Sequence, residues 1–259
     1  MAEQELLGSV RNAARVLKAF TARRRSYGVT ELARVLDVSK STAHRLLTTL
    51  VAEQLVEQDP QTGRYHLGLA VYDLLAATTA GGGLTEAVLP PMTLLRTRTG
   101  ATVHVAVLDG REVVYVERLD SPQSVRMFLN VGRRNWAHST ATGKALLAHL
   151  SARDLDRVLD GWEPVELTPH TITDTEQIRK ELLGVRDVGY AHNQEESEIG
   201  AVSVAAPIRD ATTTVVAAMS VVDATARMRP HLHKVAHAVM EAAAVASRRL
   251  GHRARGARW

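Results

Sequence analysis

The chain has 259 residues, 45% of them hydrophobic, with a formal net charge of +4 and no cysteine. That length suffices for one large or two modest domains, each burying its own core, and no window approaches the roughly 18 uninterrupted apolar residues of a membrane span. Without cysteine there are no disulfides, no thiolate chemistry and no Cys-based zinc site, while the mild positive balance suits nucleic acid without requiring it.

Met1 to Leu7 lacks the basic and apolar regions of a signal peptide, so the cytoplasm is the expected location. Val10, Ala13, Ala14, Leu17 and Phe20 then mark a first amphipathic helix ending at the basic run Arg23 to Arg25. From Val29 to Leu50 the spacing predicts two short helices with a tight turn between them. Val29, Leu32, Ala33 and Leu36 fall at helical spacing, Asp37 and Val38 break it, and Ser39 stands where a new helix would be capped. In the second helix Ala43, Leu46, Leu47 and Leu50 form the buried face. Ser41, His44, Arg45 and Thr48 form an outward stripe with Lys40 at its start and no carboxylate. A helix-turn-helix presents such a face to the major groove, although an ordinary helical hairpin with a solvated face fits the two helices equally well. Leu55 to Leu67 tips the balance, because two short strands around a Pro-Gln-Thr-Gly turn would make a wing beside the recognition helix, with Arg64 placed to meet a phosphate.

Leu69 to Ala80 reads as another helix, and Gly81 to Gly83 marks the domain boundary. Beyond it, Leu84 to Thr99 is a helix interrupted by Pro90-Pro91, and Ala101 to Asp120 alternates as two strands across Asp109-Gly110. A strand from Val125 to Val131 follows, and Ser139 caps a helix through Leu150. Further helices are predicted at Ala152 to Leu159 and Thr173 to Val188, then strands at Gly189 to Glu195, Ala201 to Ile208 and Val215 to Val222. A long helix from Pro230 to Leu250 closes the pattern. Strands grouped into hairpins with helices between them predict an antiparallel sheet covered by helices, hence an α+β fold.

Several motifs invite chemistry. Gly143-Lys144 suggests a phosphate loop, but His138 and Ala145 stand where the Walker pattern needs glycine and Ser/Thr, so nucleotide hydrolysis is not expected. A helix start with small residues, Ser139 to Gly143, could instead receive the carboxylate of a small metabolite. Among the 11 histidines, His233 and His237 are four apart on a helix, and His104, His138 and His192 could converge. No HExxH pattern accompanies them, and no metal or other cofactor is expected. Glu195, Glu196 and Glu198 are expected on a solvated loop rim. No nucleophile elbow or dinucleotide fingerprint is present, so an enzyme is not expected.

The segments VTELARVLDVSKSTAHRLLTTL, DPQTGRYHLGL, HSTATGKALLA and GAVSVAAPIRD, in this order, resemble the IclR-type bacterial transcriptional regulators from about Val10 to Leu250. The resemblance implies an N-terminal winged helix-turn-helix and a C-terminal GAF/profilin-like domain that binds a small organic acid or related metabolite. The domains would be 1–68 for DNA binding, 69–83 for a linker helix and glycine hinge, 84–250 for effector binding and oligomerisation, and 251–259 as a disordered basic tail. DNA contacts would come from Thr30, Ser39, Lys40, Ser41, Thr42, His44, Arg45 and Arg64. Thr140, Ala141, Asn193, Ser203 and Ser220 would contact the effector. Many relatives have cysteine in place of Ser203, a second serine in place of Val222, and some an acidic residue in place of Asn193, so no particular ligand transfers. The implied partners are a near-palindromic operator in double-stranded DNA, a small organic acid, and further copies of the chain in a homodimer or homotetramer. The implied action is repression of a metabolic or catabolic operon. A small-molecule enzyme joined to a DNA-binding domain, or a ligand-free architectural protein, are the alternatives.

Overall fold

The computed structural model describes residues 7–21, 24–79, 83–121 and 131–253. The expected strand at Val125 to Val131 lies, except for its last residue, outside them, as do Arg23, Gly81, Gly82 and the end of the basic tail. The chain divides into two compact units, 1–81 and 82–259.

In the first unit, α1 (Gly8–Ala19), α2 (Val29–Leu36) and α3 (Lys40–Ala52) precede a hairpin of β1 (Val56–Gln58) and β2 (Tyr65–Leu67), followed by α4 (Ala70–Thr79). Val16, Phe20, Tyr27, Leu32, Leu36, Leu47, Leu50, Val56 and Tyr65 form its core. The face of α1 is rotated from expectation: Val16 is fully buried while Val10 and Ala14 are exposed. α2 stops because Asp37 adopts the left-handed conformation at φ 56°, a region open to Asp at modest cost. Ser39 then caps α3, its hydroxyl accepting from the Thr42 amide at 3.1 Å. An unpaired first-turn amide is thereby satisfied. In the wing turn, one Asp59 carboxylate oxygen accepts from the amides of Gln61 and Thr62.

The second unit contains α5 (Leu84–Thr99), β3 (Thr102–Asp109), β4 (Glu112–Leu119) and β5 (Arg134–Trp136). A 3-10 turn at Ala137–Ser139 leads into α6 (Ala141–Leu147), α7 (Ala152–Leu159) and α8 (Thr175–Val188). The unit closes with β6 (Ala191–Gln194), β7 (Ala201–Arg209), β8 (Val215–Ala224), α9 (Thr225–Met228), a 3-10 turn at Arg229–His231 and α10 (Leu232–Arg249). The described strands form an antiparallel sheet in the order β5-β4-β3-β8-β7-β6, in agreement with the α+β expectation. Alternation along each strand separates two cores. Val103, Val105, Met219 and Val221 face α5 and α10, whereas Ala106, Ala205 and Ala218 face the side covered by α6, α7 and α8.

Three boundaries differ from expectation for identifiable reasons. α5 runs through Pro90 and Pro91 without a break. Pro90 has no N–H for the Glu86 carbonyl, but the Arg249 guanidinium donates to that carbonyl at 3.3 Å, and Pro91 and Met92 are buried in the packing. Thr140, not Ser139, caps α6, accepting from the Gly143 amide at 3.2 Å, and the helix ends at Leu147. Gly189 terminates α8 at φ 80° rather than opening the next strand. At the chain's far end, the Gly251 and His252 amides still bond back to Arg248 and Ser247.

Gly143 is where α6 and the preceding 3-10 turn meet. A Cβ at this position would lie inside the van der Waals envelope of the Ala137 backbone. Gly143→Ala is expected to cost roughly 1–3 kcal/mol as the turn is forced away, measured by urea unfolding followed through the fluorescence of Trp136 and Trp162. An unchanged unfolding midpoint would show that the turn yields freely.

Candidate functional site

Helix α3 presents Lys40, Ser41, Thr42, His44 and Arg45 to solvent, and Thr30 on α2 and Ser39 at the cap are exposed as well. Ala43, Leu47 and Leu50 are buried on the opposite side, which is why the polar stripe must face outward. Ser39 is partly committed to its own helix, its hydroxyl lying 2.8 Å from that of Ser41 and 2.9 Å from that of Thr42. Arg64, expected to meet a phosphate, is 41% exposed and also holds contacts within the protein. Its guanidinium donates to the Ser26 hydroxyl at 3.0 Å, the Ser26 carbonyl at 3.1 Å and Glu31 at 2.9 Å. Glu31 also accepts from the Gly28 amide at 2.9 Å and pairs with Arg24 at 3.2 Å. These partners, the Gly28 amide foremost, hold the Glu31 carboxyl below its ordinary value. Arg64 therefore ties the wing to the start of α2.

In the second unit a cavity of about 320 Å3 opens between the sheet and α6. Thr140, Ala141, Asn193, Ser203 and Ser220 all line it, so five residues spread over 81 positions meet in one place. Sheet register brings them together: Asn193 pairs with Ser203, Ser203 with Val222, and Ser220 with His104. These side chains share the face turned toward α6 because alternate residues of a strand point the same way. Above them, the amides of Ala141 and Thr142 begin α6 and have no acceptor within their own helix. Asn193 does more for the loop than for the cavity. Its carbonyl accepts from the Glu196 amide and its amide donates to the Ser197 hydroxyl, both at 2.8 Å.

The cavity wall also contains residues that the sequence did not single out for it, among them Tyr115, Arg133, Trp136, Thr142 and Ser197. Of the three histidines that could converge near the pocket, His138 and His192 do not line it, while His104 belongs to this wall. Burial, with Arg118 acting in the same direction, pushes its pKa down to about 3, so the imidazole is neutral at physiological pH. Its ring packs against Tyr115 at 5.0 Å between centroids, and burial pushes the Tyr115 phenol up. His138 is held elsewhere, edge-on to Trp162 with Nε2 3.0 Å from the Val165 carbonyl. No group of three His, Asp or Glu with metal-ligand geometry occurs among the described residues.

Further along α6 lies Lys144, 2% exposed. Its ammonium is 2.7 Å from Glu181 on α8 and 2.6 Å from Glu196 in the β6–β7 loop, and it donates to the His192 carbonyl at 3.3 Å. Sequence placed Glu196 on a solvated rim; it is buried instead, because Lys144 can compensate its charge, while Glu198 does lie exposed at the cavity mouth. Burial nevertheless raises the Glu196 pKa, with Lys144 opposing and Glu181 adding to the rise.

The chain matches two family models, one described as the IclR helix-turn-helix domain over residues 9–60 and one as bacterial transcriptional regulator IclR C-terminal over residues 76–248. It is 32% identical over 248 residues to the HTH-type transcriptional regulator XynR of Escherichia coli K12, covering 95% of this chain and 98% of that protein. Identity to the HTH-type transcriptional regulator KdgR of the same organism is 35% over 197 residues, 76% of this chain and 75% of that one. The crystal structure of an IclR homologue from Microbacterium hydrocarbonoxydans in complex with 4-hydroxybenzoate has a TM-score of 0.85 at 27% identity, over 94% of this chain and 99% of that chain.

Removing one member of a buried charge cluster leaves the others uncompensated. Lys144→Met is expected to destabilise the second unit by about 3–5 kcal/mol at neutral pH. The deficit should shrink toward pH 5, because the Glu196 carboxyl, already raised by burial, rises further without the lysine and takes up a proton as pH falls through its pKa. Urea unfolding of both proteins at pH 7.5 and 5 measures this. A pH-independent deficit below about 1 kcal/mol would mean that the lysine contributes packing alone.

Proposed function

This chain belongs to the IclR family of bacterial transcriptional regulators, and from that premise we propose a DNA-binding repressor whose grip on its operator is set by a small organic acid. The observation that carries the reading is the exposed face of α3, with Lys40, Ser41, Thr42, His44 and Arg45 outward and no carboxylate among them. Arg45 is the residue suited to a guanine edge, since a guanidinium can donate to O6 and N7 together, and Lys40 to a phosphate. One such helix covers only a few base pairs, so two copies on a near-palindromic operator are proposed. No helix among the described residues is long and apolar enough to cross a membrane, and action in the cytoplasm is part of the proposal.

The effector reading rests on the cavity between α6 and the sheet. A carboxylate is proposed at the start of α6, near the backbone of Thr140 and Ala141, where unpaired amides and the helix dipole favour negative charge. Ser203 and Ser220 are proposed to hold the rest of the molecule, with Asn193 fixing the adjacent loop. An aromatic acid is within the range of chemistries, since 4-hydroxybenzoate is bound in the related Microbacterium structure. Such a ligand regulates only if it binds the DNA-competent and incompetent arrangements unequally. The segment 69–83 is proposed as the pivot.

Fluorescence anisotropy with DNA from upstream of the protein's own gene, at fixed salt, tests both halves. Binding tighter than to random DNA and weakened by one of a panel of organic acids is expected; equal binding to both DNAs, indifferent to every acid, would sink the reading. Arg45→Ala should lose roughly 1–3 kcal/mol on the operator and little on random DNA. Lys40→Ala should weaken both alike and lower the salt slope by about one. Equal losses for Arg45→Ala on the two DNAs would refute base readout by this side chain.

A further inference from the structure

His104 is 1% exposed, and its Nε2 has no hydrogen-bond partner within the protein. Thr142 on α6 is in the same position: 2% exposed, its hydroxyl close to the Tyr115 phenol without hydrogen-bond geometry and with no other partner. Both residues line the same cavity. Buried polar atoms are almost always paired, because leaving one unpaired forfeits its interaction with water and gains nothing in return. Two such atoms on one cavity wall indicate partners that the protein itself does not supply. Ser220, the register partner of His104 across β3 and β8, adds a further hydroxyl to that wall.

We propose that His104, with Thr142 and Ser220, forms a subsite for an uncharged oxygen of the effector, a hydroxyl or carbonyl carried in addition to the acid group. This rests on the effector reading given above and narrows it to hydroxy or keto acids over plain carboxylic acids. The chemistry of the imidazole selects the group. A neutral histidine offers one donor and one acceptor nitrogen but no charge, so it can complete a hydroxyl of either role. An ionised carboxylate in the same spot would gain no charge from the imidazole, and the neighbouring Arg118 is already paired with Asp120. The depressed pKa of His104 keeps it in that neutral form throughout the physiological range. An alkyl or bare aromatic group placed against it would leave Nε2 unpaired, which is how a site built to bond a hydroxyl discriminates against the analogue lacking one.

The test is isothermal titration of the full chain with matched pairs, 4-hydroxybenzoate against benzoate and lactate against propionate, using wild type, His104→Gln and His104→Leu. In wild type the oxygenated member of at least one pair should bind about tenfold tighter than its plain partner, the equivalent of one well-made hydrogen bond. That ratio should fall to near one in His104→Leu and survive in part in His104→Gln, while the affinities of the plain acids stay within about twofold. Imidazole 15N shifts of wild-type His104 provide a readout that needs no variant: they should move on adding the preferred oxygenated acid and not its plain partner. Acids that bind wild type with no preference for the oxygenated member, or a preference that His104→Leu leaves intact, would overturn the subsite and spare the effector reading. Failure of wild type to bind any of the four acids while still binding operator DNA would overturn both.

Discussion

A buried ammonium organises the second unit. Lys144 leaves a fully buried α6 and meets Glu181 on α8, Glu196 in the β6–β7 loop and the His192 carbonyl at the end of the sheet. Taking a lysine out of water is tolerable only with this much compensation around it, so four separate segments are held at fixed distances by one side chain. The cavity opens between the sheet and α6. Its floor is the sheet face of Ser203, Ser220 and His104, its roof the start of α6, and its edge the loop that Asn193 and Glu196 keep folded.

The polar floor is possible because of the sheet's two-sidedness. The face toward α5 and α10 is filled with Val, Met and Ile. On the other face small residues such as Ala205 and Ala218 let α6 approach where it must pack, and polar side chains appear where it does not. Gly143 serves the same close approach from the helix side, since the Ala137 backbone occupies the place of a side chain. The first unit solves a different problem. There the wing is fastened through Arg64 to Glu31 and Ser26, while the charges of Lys40 and Arg45 stay on the open surface of α3.

Local periodicity made the fold class legible, along with the helix-turn-helix, the hairpin across Asp109-Gly110 and the small-residue helix start near Thr140, because each is a short-range pattern that a segment imposes on itself. Boundaries failed where a distant group altered a local rule: Pro90 sits within α5 because Arg249 takes up the carbonyl that proline leaves unpaired. Glu196 reads in sequence as a solvated rim residue because no nucleophile motif stands beside it; its partner lies 52 positions earlier. Arg64 stands at a turn, and its partners within the protein sit 38 and 33 residues away, beyond any local pattern.

Thus the sequence by itself determined which segments are helices and strands, which face of α3 is outward, and that the chemistry belongs to a binding protein resembling the IclR regulators. Tertiary structure decided which side chains share a cavity. His104 and Ser220 are neighbours only because β3 and β8 pair in one register, and a shift of β8 by one residue would turn Ser220 to the opposite core and away from His104. Burial, and with it the neutrality of His104 and the enclosure of Lys144, is likewise a property of the packed chain. Desolvation depends on what surrounds a group in space, and no spacing along the chain encodes it.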